Sequence, residues 1–203
     1  ICIPCSVLLA VLGEPFIRLL FQAGEFTAEN TANTAFALYF FVIGIFAQGG
    51  IHLSSRAFYA FQNTKTPVLM AIIGIVVNII FSFILVGSLQ HGGLALAYSI
   101  GGIVNLALLM YFLRRRLKRI DGKNILRSTI MTLIASAVMG VVAYFLAWGC
   151  ESLFGVSNKG TQAVQLFASG LISVGVFFGM AKAMHMPEAD AAVSMIKRKL
   201  KRG

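Results

Sequence analysis

Long apolar segments constrain this sequence more than any other feature. A helix needs about 20 predominantly apolar residues to cross the hydrocarbon core of a bilayer, because each residue adds about 1.5 Å. Five segments reach that length: 32–61, 67–86, 94–113, 125–148 and 163–183. A sixth, residues 1–13, begins with the chain itself, and we interpret it as a span truncated at its start. Inside a bilayer a helix satisfies its own backbone hydrogen bonds. The sequence therefore predicts an all-α polytopic membrane protein with six transmembrane helices.

Composition supports the membrane class. Only 12% of the residues are charged, whereas water-soluble domains carry about 25%. The chain begins at Ile1, without Met, inside an apolar run that lacks the basic start of a signal peptide. We therefore expect this chain to be a fragment of a longer protein.

Three connections between the predicted spans carry local signals. Pro15 suits a first helical position and Gly24 a helix stop, so residues 14–24 form either a short interfacial helix or the continuation of the first span. Thr27 is a predicted N-cap for the second span. Residues 90–93, Gln-His-Gly-Gly, predict a tight connection between the third and fourth spans.

Basic residues are distributed unevenly among these connections. If six spans alternate in direction, all but Arg18 and Lys159 of the 17 Lys and Arg residues fall on one side of the membrane. Cytoplasmic connections carry an excess of Lys and Arg, so we predict that this side, with the C-terminus, is cytoplasmic. The tail, residues 185–203, mixes basic and apolar residues, and we expect it to contact the anionic inner leaflet.

Several other functions find little support in the sequence. Nucleic-acid binding would need base-stacking aromatics or a groove-reading element within the basic segments, and neither is visible. Cys2 and Cys5 have the spacing of metal ligands but no second pair and no nearby His, so we interpret them as packing thiols. The three His are scattered and no carboxylate pair lies within a span. We therefore predict neither an enzyme nor a metal or cofactor site.

One face of the second span is polar. Its residues recur every three or four positions and therefore share a helical face: Gln48, His52, Ser55, Arg56 and Tyr59. Lipid cannot solvate such a face, so we predict that it lines a bundle interior or a wet cavity. Arg56 and Tyr59 equally fit a helix end, where Arg extends to the membrane surface and Tyr joins the aromatic belt.

The third and fourth spans carry weaker polar faces. In the third span the face consists of Gly74, Asn78 and Ser82, and in the fourth span it consists of Tyr98, Gly102 and Asn105. Such small and polar residues are typical of helix packing. Asn78, near the middle of its span, could pin a helix contact, line a polar cavity or offer its oxygen to a cation. Packing is the favoured interpretation.

The fifth span repeats small or hydroxylated residues at every fourth position. These are Ser128, Thr132, Ser136 and Gly140. This spacing is typical of closely packed membrane helices. We predict that the fifth and sixth spans form a pair packed through these residues.

Several motifs in the first 115 residues together resemble a known family. They are Glu14-Pro15-x-x-Arg18-Leu19-Leu20-Phe21-x-x-Gly24-x-Phe26-Thr27, Arg56-Ala57-Phe58-Tyr59-Ala60, Thr64-x-Thr66-Pro67, Asn78, and Gly93-Leu94-Ala95-Leu96-Ala97-x-Ser99 followed by Asn105. In this order and spacing they resemble the MurJ/MviN family of lipid II flippases, within the multidrug/oligosaccharidyl-lipid/polysaccharide (MOP) exporter superfamily. The sequence departs from the family at Tyr98, where Thr is frequent, and at Ser82, where some members have a carboxylate.

The resemblance implies a protein of about fourteen helices, with two six-helix lobes and an extra C-terminal pair. Residues 1–113 would be four helices of the second lobe, and residues 114–124 a basic cytoplasmic linker. Residues 125–184 would be the extra pair, and residues 185–203 the basic cytoplasmic tail. The chain would thus be a fragment of a larger MOP-type transporter in the bacterial inner membrane.

The resemblance also implies a function, which is movement of the undecaprenyl-linked peptidoglycan precursor across that membrane by alternating access. Gln48, His52, Arg56, Tyr59 and Asn78 are the predicted cavity and gate residues. Coupling to the membrane potential or to a cation gradient stays open, as does the oligomeric state. The alternatives are another MOP exporter, for a drug or a polysaccharide-lipid, and a membrane-embedded lipid-processing enzyme.

The predicted topology can be tested with single cysteines at Asn63, Gly122 and Asn158 of an otherwise cysteine-free full-length protein. An impermeant thiol reagent applied to intact spheroplasts should label position 158 and spare the other two, because the positive-inside rule places only position 158 outside. Labelling at 122 but not at 158 would contradict the topology.

Overall fold

The computed structural model describes residues 2–21, 27–117, 122–154 and 159–184. These residues form five helices: α1 (Cys2–Phe21), α2 (Ala28–Ala60), α3 (Lys65–Leu117), α4 (Gly122–Phe154) and α5 (Lys159–Ala183). Each is long and apolar enough to cross a membrane. The predicted all-α polytopic membrane class is confirmed.

Helix α3 accounts for the difference between six predicted spans and five helices. Its 53 residues would form a straight rod roughly 80 Å long, far longer than a hydrocarbon core of about 30 Å. At Gln90, however, the backbone is not helical (φ 46°, ψ −121°), and the chain turns back on itself. The two arms, residues 65–89 and 91–117, match the predicted third and fourth spans.

Glycines allow the two arms of α3 to approach closely. A Cβ at Gly101 would lie 2.6 Å from the carbonyl oxygen of Gly74, which is shorter than any ordinary contact. A Cβ at Gly93 would meet the carbonyl oxygen of Leu85 beside the turn. The arms therefore pack backbone against backbone, as small residues permit in membrane helices.

Helix α1 continues through the segment that the sequence left undecided. It runs without interruption to Phe21, with Pro15 inside it and not at its start. Membrane helices tolerate an internal proline when neighbouring groups satisfy the freed carbonyl. Beyond the proline, Arg18 forms an ion pair with Glu14 one turn earlier, at 3.4 Å. Gly24 lies outside the described residues.

Side-chain caps define the N-terminal starts of α2 and α3. Thr27 is the N-cap of α2, and its hydroxyl accepts a hydrogen bond from the backbone N–H of Asn30 at 3.5 Å, which confirms the predicted cap. Asn63 lies in the connection to α3, where its side chain accepts from the backbone N–H of Thr66 at 3.2 Å and donates to the hydroxyl of Thr66 at 2.9 Å. These bonds satisfy donors that helix starts leave unpaired.

The chain forms two compact units, and α1 contributes to both. One unit combines Ile3–Leu12 with α4 and α5, and the other combines the rest of α1 with α2 and α3. The second unit contains a buried cluster of apolar side chains from α2 and both arms of α3: Phe58, Met70, Leu109 and Leu113. The hydroxyl of Ser99 also joins α3 to α2, donating to the carbonyl of Phe40 at 2.6 Å.

In the first unit, α4 contacts both of its partners through small or polar residues. A Cβ at Gly140 would lie 2.7 Å from Cγ1 of Val7, so the glycine admits the start of α1. On α5, the amide of Gln165 donates to the carbonyl of Ala147 at 2.8 Å. The predicted partner of α4 was α5 alone, because the sequence gives no sign that residues 3–12 also pack against α4.

The hairpin of α3 can be tested by adding one methyl group. Gly101→Ala should lower the free energy of unfolding by about 1–3 kcal/mol, because its Cβ would overlap the carbonyl oxygen of Gly74. Gly87→Ala is the matched control on the same helix, since among the described residues no heavy atom beyond its own stretch of helix lies within 4 Å of its Cβ position. Thermal unfolding of the purified protein in detergent measures both changes. Equal transition temperatures for the two variants would contradict the close approach.

Candidate functional site

A small polar cavity lies where α2 meets the two arms of α3. Its volume is about 130 Å³. Four of its lining side chains are polar: Gln48, Asn78, Tyr98 and Asn105. Three glycines also line it, and their missing side chains leave the space beside the amides: Gly74, Gly101 and Gly102.

One hydrogen bond crosses this cavity from α2 to α3. The side-chain amide of Gln48 donates to the hydroxyl of Tyr98 at 2.9 Å. The ring of Tyr98 is also held by a tilted contact with Phe41, with ring centroids 5.5 Å apart. Gln48 and Tyr98 therefore link two of the predicted spans.

The two asparagines differ in how their oxygens are satisfied. Oδ1 of Asn78 accepts a hydrogen bond from the hydroxyl of Ser82, one turn along the same arm, at 3.1 Å. Oδ1 of Asn105 is buried and has no hydrogen-bond partner among the described residues. An unpaired buried acceptor costs about 1–3 kcal/mol. A cavity of this size can hold a few water molecules, which would satisfy that oxygen.

The chemistry of the cavity is that of neutral hydrogen-bonding groups. Amides and a phenol can bind water or a small polar group, or fix the helices to one another. Among the described residues, no group of three or more His, Cys, Asp or Glu side chains could hold a metal ion. The arrangement offers hydrogen bonds and no evident nucleophile or base.

The structure divides the predicted polar face of α2 into two parts. Gln48 points to α3 and lines the cavity together with Asn78. His52, Arg56 and Tyr59 are exposed on the surface of the second unit, and 51% of Tyr59 is accessible. A step of four residues turns a helix by about 40° beyond a full turn. The face therefore rotates away from α3 between Gln48 and Arg56.

Two polar residues of the cavity were not among the predicted site residues. Tyr98 and Asn105 were recognised as one helical face, but that face was interpreted as helix packing. The signal that could have found them is the pairing of two polar faces, both containing glycine, on consecutive antiparallel spans. Two consecutive antiparallel helices pack side by side, so the polar face of one helix can contact the polar face of the other.

The predicted packing residues of α4 lie along one side of the helix. Ser136 and Gly140 are buried, while Ser128 and Thr132 are half-buried. The hydroxyl of Thr132 donates to the carbonyl of Ser128 at 2.8 Å, within the helix. A hydrogen bond within one helix satisfies the hydroxyl in an apolar environment but does not link the helix to a neighbouring one.

The comparisons with known proteins point to one family. The family model described as lipid II flippase MurJ matches residues 1–159. A probable lipid II flippase MurJ from Rhizobium tropici is 34% identical over 201 residues, covering 98% of this chain and 37% of that protein. A probable lipid II flippase MurJ from Rhizobium meliloti (strain 1021) is 30% identical over 202 residues, covering 99% of this chain and 37% of the relative.

A solved structure shows the same arrangement of helices. The lipid II flippase MurJ in an inward closed conformation matches with a TM-score of 0.72 and 28% identity, over 91% of this chain and 36% of that one. The present chain therefore spans little more than a third of the length of the proteins it matches.

The link between α2 and α3 can be measured with a double-mutant cycle on Gln48→Leu and Tyr98→Phe. The coupling free energy should be about 0.6 kcal/mol and at most about 1.7, the range for hydrogen bonds between membrane helices. Stability in detergent gives the four values, and Tyr39→Phe, an exposed tyrosine on α2, should leave stability unchanged. Strict additivity of the two substitutions would show that the hydrogen bond carries no energy.

Proposed function

Since the chain belongs to the lipid II flippase MurJ family, we propose that it supplies the C-terminal helices of a flippase for the lipid-linked peptidoglycan precursor. The full-length protein moves this precursor across the bacterial inner membrane by alternating access. Residues 1–113 belong to the second transporter lobe. Residues 114–124 are the cytoplasmic linker, which includes the last turn of α3 and the first turn of α4. Residues 125–184 are the extra helix pair, and residues 185–203 are the basic tail.

The exposed polar face of α2 carries the proposal within this chain. His52, Arg56 and Tyr59 project from an otherwise apolar helix, and polar side chains facing lipid would be costly. A path for the polar head group of a lipid substrate gives them a solvated environment in the full-length transporter. Arg56 forms no ion pair with any described residue, so its guanidinium is available to an anionic group.

Arg56 is the residue best suited to contact the substrate. It lies one turn before the end of α2 at Ala60, which places it at the cytoplasmic mouth in the proposed topology. Its planar guanidinium donates paired hydrogen bonds to phosphate oxygens. His52 continues the path one turn deeper and Tyr59 packs at the gate.

Gln48 and Asn78 line the cavity between α2 and α3 and are not part of the exposed polar face. Gln48 is bound to Tyr98 and so holds α2 against α3 at the cavity, whereas Asn78 is bound to Ser82 within one arm of α3. In this proposal the bond between Gln48 and Tyr98 fixes the orientation of α2, and so the direction in which Arg56 points. Their neutral chemistry suits a contact that must rearrange during alternating access.

The function is tested by depleting the full-length protein and locating the labelled peptidoglycan precursor. Accumulation in the inner leaflet, with loss of the outer-leaflet pool, is the expected result for a flippase. An unchanged distribution between the leaflets after depletion would overturn the proposal.

Substitution of Arg56 tests its role in a depletion strain. Arg56→Ala should fail to restore growth at normal protein abundance, because it removes both the charge and the paired donors. Arg56→Lys should restore growth partly, because it keeps the charge and loses the planar fork. Arg127→Ala removes an exposed arginine of α4 and should support normal growth.

The outcome separates a substrate contact from an interfacial anchor. An anchoring arginine predicts that Lys works as well as Arg and that Ala lowers protein abundance instead of transport. Normal growth supported by a stably expressed Arg56→Ala protein would rule out the gate role.

A further inference from the structure

Two arginines at the end of α3 lie over aromatic rings. The guanidinium carbon of Arg115 is 4.8 Å from the ring centroid of Tyr111. That of Arg116 is 5.4 Å from the ring centroid of Phe61, the C-cap residue that follows α2. Together with Arg114 in the same turn, these residues form what we call the arginine–aromatic patch. The second contact also places the ends of α2 and α3 side by side.

The charged side chains of the patch remain exposed and uncompensated. All three arginines are exposed, and none forms an ion pair with a residue that the structure describes. Stacking uses only the flat face of a guanidinium. The N–H groups project from its edge and stay free to donate paired hydrogen bonds to an anion.

The patch lies at the boundary between apolar and polar sequence. Residues 94–113 are apolar and the three arginines follow directly, so the patch is at head-group depth. Its rings are accessible as well, Phe61 at 42% and Tyr111 at 51%. Rings of this kind belong to the interfacial belt of membrane proteins. A ligand of the patch must therefore combine an anionic head with an apolar body.

We propose that the arginine–aromatic patch is a binding site for the phosphate head group of an anionic membrane phospholipid. The edges of Arg115 and Arg116 hold the phosphate, while Phe61 and Tyr111 fix the guanidinium planes and contact the first part of the acyl chains. The lipid fastens the ends of α2 and α3 to the membrane surface. This site is separate from the proposed substrate contact at Arg56 and does not depend on the flippase activity.

Diffuse attraction between basic residues and an anionic bilayer is the competing explanation. It depends on the number of charges near the surface and ignores how each guanidinium is held. A built site depends on the rings as well. The two explanations therefore differ for a substitution that removes a ring and leaves every charge in place.

The experiment titrates the purified full-length protein in neutral detergent with phosphatidylglycerol and counts bound lipids by mass spectrometry of the intact protein. Arg115→Gln and Arg116→Gln should each weaken binding about fivefold. Arg127→Gln, which removes an exposed arginine of α4, should change it less than twofold. Zwitterionic phosphatidylcholine should bind equally to the wild-type protein and to the Arg115→Gln and Arg116→Gln variants.

The ring variants decide between the explanations. Phe61→Leu should weaken binding of phosphatidylglycerol about two- to fivefold, because Arg116 loses the surface that orients it. Phe46→Leu is the matched control, since Phe46 lies on α2, which Phe61 caps, and has the same 42% exposure, and it should bind as wild type. Both variants must elute as single species before titration.

Three results would overturn the proposal. Equal losses for Arg127→Gln and Arg116→Gln, or wild-type binding by Phe61→Leu, would show diffuse charge attraction only. Displacement of the lipid by an equal concentration of soluble glycerol phosphate would show a free-phosphate site. Stronger retention of an undecaprenyl-linked pyrophosphate than of phosphatidylglycerol would assign the patch to the substrate.

Discussion

The second unit depends on a close approach between helices that glycine alone permits. Lipid tails are as apolar as leucine side chains, so hydrophobic burial does not drive membrane helices together and van der Waals contact must do so. Gly74 and Gly101 provide that contact between the two arms of α3. The same approach brings Asn78 and Asn105 to one cavity. The polar junction with α2 therefore follows from the glycine contact.

Most of the fold could be predicted from the sequence because its signals are local. The length of the apolar segments predicted the spans, and the N-cap residue Thr27 predicted the start of α2. Two features could not be predicted, because local signals do not report on contacts between distant segments. Pro15 is compatible with a helix start and with a helix interior, and only the surroundings decide. The contact of Gly140 with Val7 joins segments far apart in the chain, and nothing in a local pattern selects such a partner.

The candidate site was predicted in part. Helical spacing grouped Gln48 with His52 and Arg56, but a spacing of four residues drifts around the helix by about 40° at each step. Over two such steps the face turns from α3 towards the surface of the unit, and the sequence does not show where one environment ends. Tyr98, likewise, was visible as a polar residue, while its hydrogen bond to Gln48 required the neighbouring helix.

The division between the neutral cavity and the charged end of α2 suits the proposed flippase, which alternates between two states. A charge buried between helices would cost several kcal/mol to expose or repair whenever the helices move. A hydrogen bond such as Gln48–Tyr98 is worth only about 0.6 kcal/mol in a membrane, so thermal motion can exchange it for a bond to water. Arg56, by contrast, is exposed among the described residues, and in the proposed flippase it binds or releases an anion without breaking a contact between α2 and α3. In the proposed flippase, weak bonds at the helix contact and an exposed charge near the end of α2 allow helix movement and substrate binding to be controlled separately.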